Sequence, residues 1–161
     1  MNEFDKFDEY KFLVEDTARI TDRRQSISNL YTTINSILLA AIAVLFSETA
    51  LPDLVIIAGA VAIMLAGIAI SLTWKRAIIR YREHLRLRFD ILREIENHPS
   101  MADSEKVYHR EDALYPRNED GQSIDHKGLF SNIEKRLPEV FVTLYVILTT
   151  IIILAVIFGL I

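Results

Sequence analysis

The chain has 161 residues, a net charge of −4 at pH 7 and no cysteine, so disulfides, thiolate metal sites and cysteine nucleophiles are excluded. A charged fraction of 25% coexists with a positive mean hydropathy of +0.23, which requires charged and apolar residues to be segregated along the sequence. With a pI near 5.6, the overall charge gives no case for a nucleic-acid partner.

Segregation is what the sequence has. Two apolar blocks lie between about Leu30 and Trp74, and a third runs from Val140 to Ile161. Their lengths fit membrane spans better than a soluble core. The opening MNEFDKFDEYKF is acidic and aromatic. It does not read as a signal peptide, and the first span is expected to direct insertion itself.

Residues 1–26 read as an amphipathic cytosolic helix, with Phe4, Phe7, Leu13, Ala18 and Ile20 on a ragged apolar face. That face serves either a partner and gating or packing on the protein's own cytosolic segment. The first span, 27–46, is polar in its first half and apolar in its second. Asn29, Thr33, Ser36, Ala40 and Ala43 share one helical face. Polar groups in hydrocarbon require a partner, so this face is expected either to line a pore or to hold helices together. The connection SETALPD has two acids, no Lys or Arg, and Pro52 as its stop signal.

The second span, 54–74, places Gly59, Ala62 and Ala66 on one face, with Gly67 and Ser71 as a further small pair. Such faces mark helix packing in membranes. Trp74, Lys75 and Arg76 are expected to anchor the membrane interface. No Pro and no Gly interrupts the chain from there to Asn97, so one helix is expected to leave the membrane and continue in water. Its apolar positions Ile78, Tyr81, Leu85, Phe89, Leu92 and Ile95 form an expected cytosolic assembly face. Arg82, Arg86 and Arg88 fit either an anionic ligand or a solvated, ion-paired surface.

A polar excursion follows from Met101 to Gly128, with a short helix expected at 104–114. His98, His109 and His126 have no metal-site spacing and no phosphate loop is present, so neither cofactor nor catalytic activity is expected. Residues 129–137 read as an interfacial helix, and Pro138 is expected to turn the chain into a third span, 139–161. Every Lys and Arg lies before the first span or between the second and third. The positive-inside rule then puts the N-terminus and residues 75–138 in the cytoplasm, and the end of the third span on the outer face.

The expected fold is therefore an all-α membrane protein with three transmembrane helices, the second continuing into a long amphipathic cytosolic helix, assembled as a homo-oligomer. Its segments are 1–26, the hairpin 27–74, 75–138 and 139–161. The run Trp74, Ile78 or Ile79, Tyr81, Arg82, Leu85, Phe89, Ile91, Glu94, Ile95 and Glu96, followed by Ile133, Glu134, Pro138, Phe141 and Tyr145, resembles the RipA-like octameric bacterial membrane proteins. That resemblance implies identical subunits, eight in number, in a bacterial inner membrane. The architecture of the front part is also similar to SLATT-type pore-forming effectors of antiviral defence. Together they imply a pore gated through its cytosolic helices by a ligand or protein partner. A non-conducting scaffold that recruits a cytosolic partner is the alternative.

Overall fold

The computed structural model describes residues 6–47, 51–99, 106–114 and 129–159. The expected helix start at 2–5, the middle of the hairpin connection at 48–50, the excursion at 101–105 and 115–128, and the last two residues lie outside the described residues. The described residues form four helices: α1 Lys6–Ser47, α2 Asp53–Glu96, α3 Val107–Leu114 and α4 Leu129–Ile157. Three of them, α1, α2 and α4, are long and apolar enough to cross a membrane.

Helix α1 is one element where the sequence suggested two. Nothing between Lys6 and Ser47 is Gly or Pro, so no residue breaks the hydrogen-bond ladder where the composition changes. Helix α2 runs unbroken through its apolar and charged halves, as expected. It starts on the Pro52 carbonyl, which accepts from Val55 N–H at 2.9 Å. Pro99 follows its end, where a further turn would lack an amide donor.

Helix α4 departs from expectation at Pro138, which lies inside the helix and not at a turn between two segments. A proline leaves the carbonyl four residues earlier without its usual donor. Spanning helices tolerate this where neighbouring protein packs around the site, and the Pro138 side chain is fully buried. Gly159, at φ 63°, closes the C-terminal end in the left-handed conformation that favours glycine.

Contacts divide the chain into two units. One holds residues 1–26 and 79–133, the other residues 27–78 and 134–161. In the first, Tyr10, Leu92 and Ile95 form a buried cluster with Leu13, Val14, Phe89, Ile91 and Tyr108 against it. The N-terminal part of α1 thus packs on its own α2. An Arg88–Asp16 ion pair at 2.9 Å flanks the cluster. Both side chains are about a third exposed, so the pair contributes under about 1 kcal/mol. In the second unit Ile42 of α1, Ala60 and Met64 of α2, and Tyr145 and Ile152 of α4 form a three-helix core.

Candidate functional site

Among the described residues each unit holds a buried polar cluster centred on a fully buried side chain, and neither is visible as a motif. In the second unit it joins α1, α2 and α4. Asn35 and Ser71 are fully buried, as is Tyr145. Ser71 Oγ donates to Asn35 Oδ1 at 3.0 Å, and the Tyr145 hydroxyl donates to the same oxygen at 3.1 Å. Asn35 Nδ2 in turn donates to the Tyr31 carbonyl at 2.8 Å. One amide oxygen therefore fixes the register of three helices in an environment without competing water. Replacing Asn35 with Ala strands the Ser71 hydroxyl and removes one acceptor from Tyr145. A loss of about 1–2 kcal/mol is expected, read as a lower midpoint in thermal unfolding of the detergent-solubilised protein.

The second cluster surrounds Glu96, a carboxylate with no exposed surface. Tyr10 Oη donates to Oε1 at 2.6 Å, as does Tyr108 N–H at 2.8 Å. His109 N–H donates to Oε2 at 2.8 Å, and its ring Nδ1 lies 2.5 Å from the same oxygen. A carboxylate only accepts, so Nδ1 carries the hydrogen. Tyr108 and His109 belong to the first turn of α3, whose amides have no partner inside the helix. Glu96 caps α3 from twelve residues away, in place of a local Ser or Asp. Burial pushes its carboxyl up, but the bonds from Tyr10, the Tyr108 amide and the two His109 groups outweigh this and hold it below the ordinary range. Burial, then the hydrogen bond to Glu96 and the charge of that carboxylate, push the Tyr10 phenol well above its usual value.

The expected site residues fall into four groups. Asn29, Thr33, Ser36, Ala40 and Ala43 are exposed on α1, facing away from the three-helix core. Thr33 and Ser36 hydroxyls bond the carbonyls of Asn29 and Thr32 in their own helix, both at 2.9 Å. These two therefore use their single donor hydrogen within their own helix, though each hydroxyl can still accept. The polar residue that the core does use, Asn35, lies off that stripe.

On α2 the small residues divide. Ala62 and Ala66 are exposed and Gly59 is partly covered, with Leu45 Cδ2 3.0 Å from where a Cβ would stand. Gly67 and Ser71 are buried against α4 and α1. Trp74 is fully buried. Its ring stacks on Tyr31 at 5.8 Å and 6° and tilts against Phe141 at 6.1 Å. It therefore meets protein, not lipid headgroups. Lys75 pairs with Glu139 at 2.8 Å, and Arg76 is exposed.

Of the expected assembly face, Phe89, Leu92 and Ile95 pack inside the protomer. Ile78 and Leu85 are buried and Tyr81 is half-buried. Arg88 serves the Asp16 pair, and Arg86 is exposed.

A family model described as Octameric membrane protein family (8xMP) matches residues 7–155. The chain belongs to the octameric membrane protein family. The match spans α1, α2, α3 and nearly all of α4, so both polar clusters lie within the family region. With three helices of spanning length and composition, this family member is a membrane protein. The family is also the one the Trp74–Tyr145 residues resemble. No match was found among curated proteins or among solved structures.

Proposed function

We propose that the chain is one subunit of a homo-oligomeric, pore-forming assembly in a bacterial inner membrane, gated through its cytosolic helices and acting in anti-phage defence or a stress response. The family description supports eight copies, and a closed ring is the usual arrangement of identical subunits. The observation that carries the reading is a contrast among outward faces. Helix α4 exposes bulky Val140, Leu144, Ile147, Ile151 and Leu154, which suit lipid. Helices α1 and α2 also expose bulky residues, among them Ile37, Val44 and Leu65. Beside these they carry outward a stripe of small and polar Asn29, Thr33, Ser36, Ala40, Ala43, Ala62 and Ala66, which suits close approach to another helix or to water. The reading is non-enzymatic and places the N-terminus in the cytoplasm, on the side where Lys and Arg collect.

The natural absence of cysteine makes the test direct. Single-cysteine variants at Ser36, Ala40 and Ile147 are reconstituted in liposomes and treated with a membrane-impermeant thiol reagent. Labelling at Ser36 and Ala40 but not at Ile147 is expected of a pore. Efficient disulfide crosslinking between copies with no labelling at Ser36 and Ala40 overturns it. That outcome favours a non-conducting scaffold that recruits a cytosolic partner. The scaffold reading draws support from the Thr33 and Ser36 hydroxyls, which already bond their own helix.

A further inference from the structure

Cations gather at one end of the spanning segments, and within the second unit they have unequal surroundings. Lys75 is neutralised by Glu139 on α4. That pair brings α2 and α4 together at this level. Arg76 is adjacent to Lys75, and Arg136 lies one helical turn before Glu139. Both arginines are exposed, and neither has an acidic partner among the described residues. Two exposed arginines thus lie, one adjacent in the chain and one a turn away, beside the residues of one fixed contact between helices.

The chain's only tryptophan is at the same end, but it is buried between Tyr31 and Phe141. Trp74 therefore contributes nothing to an aromatic belt there. We propose that Arg76 and Arg136 together bind the phosphate of an anionic phospholipid headgroup. The planar guanidinium matches a phosphodiester through paired hydrogen bonds, which a lysine does not reproduce. The Lys75–Glu139 pair is a positioning element: it spaces the two arginines and removes a competing acid. The inference rests on the reading that α2 and α4 cross the bilayer with this end at the cytoplasmic face, where anionic lipids attract basic residues.

The full chain, purified in detergent and stripped of lipid, is titrated with phosphatidylglycerol while its thermal unfolding midpoint is followed. Phosphatidylcholine and free glycerol phosphate are titrated in parallel. Phosphatidylglycerol alone is expected to raise the midpoint. Each arginine removed is expected to weaken apparent affinity roughly fivefold, so Arg76→Gln/Arg136→Gln loses most of the rise. Arg110→Gln, which removes an exposed charge from α3, is expected to retain it, and Arg76→Lys/Arg136→Lys is expected to bind in between. An equal loss in Arg110→Gln, an undiminished rise in the double glutamine variant, or an equal rise with free glycerol phosphate overturns the proposal. Alkaline extraction of membranes keeps the two readings apart. A chain that stays in the bilayer but shows no lipid preference refutes the headgroup site, whereas a chain released by alkali refutes the spans beneath it.

Discussion

Gly67→Ala is expected to be the most damaging single-methyl addition in the membrane core. A Cβ at position 67 would stand 2.5 Å from Tyr145 Cε2 and 2.8 Å from Cε1, and closer still to Cζ. The contact falls on the hydroxyl-bearing end of a fully buried ring, so the ring cannot swing outward into open space. Moving it breaks the bond from its hydroxyl to Asn35. Overpacking of a dense core costs about 1–3 kcal/mol, and a stranded buried hydroxyl adds about 1–3 kcal/mol. The thermal midpoint in detergent is expected to fall accordingly. Tyr145→Ala in the same chain should recover part of the loss, giving a strongly non-additive double-mutant cycle. Additive effects would show that the two residues do not press on one another. Gly59→Ala is a fitting control, because the neighbour there is the end of a flexible leucine.

Glu96→Gln is expected to release α3 although the change is nearly isosteric. Each carboxylate oxygen accepts from one backbone amide, Tyr108 N–H on Oε1 and His109 N–H on Oε2. A glutamine must put its NH2 on one side or the other, and in either orientation it meets an amide donor that cannot turn away. A cost of about 2–4 kcal/mol follows from the lost bonds and the unmatched donors. Amide exchange over residues 107–114 is expected to accelerate with little change in the spanning segments. Tyr10→Phe removes only one of the four donors and should cost about 1 kcal/mol. If exchange in α3 is unaltered in Glu96→Gln, the cap contributes nothing.

The same site fixes a pH dependence. The folded-state carboxyl of Glu96 lies below its ordinary value, so its contribution is fully present above the unfolded-chain pKa. It is lost as pH falls through the folded value. Stability of the wild-type α3 should therefore hold from neutral pH down to the usual carboxylate range and decline below it. The Glu96→Gln variant is expected to lack that acid-side decline in α3 exchange.

Much of the fold was legible because membrane spans and interrupted helices leave local marks. The α2 helix followed from an apolar run joined to an amphipathic one with no Pro, and with no Gly after Gly67. The α1 helix runs through residue 26 without a break, because a change of composition is not a change of backbone conformation, while the division of contacts does fall between residues 26 and 27. Pro138 misled for the opposite reason. It is a strong local signal, but buried packing around the ring lets the helix continue. The polar clusters were the least legible. Asn35 and Ser71 are 36 positions apart, and Tyr10 and Glu96 are 86 apart, so no spacing rule brings them together. Periodicity found a polar stripe through Asn29, Thr33 and Ser36, yet it cannot say which stripe turns inward. The answer lay in Tyr145, whose hydroxyl needs the acceptor that Asn35 supplies.

The Trp74 stack has a practical consequence. As the single tryptophan, it is the dominant intrinsic fluorophore, and its indole N–H has no hydrogen-bond partner among the described residues. An indole so enclosed emits to the blue of one in water. Any event that separates α1, α2 and α4 at this level would unstack it from Tyr31 and shift that emission to the red. The protein therefore carries a built-in optical reporter of helix separation, usable in a bilayer without any attached dye.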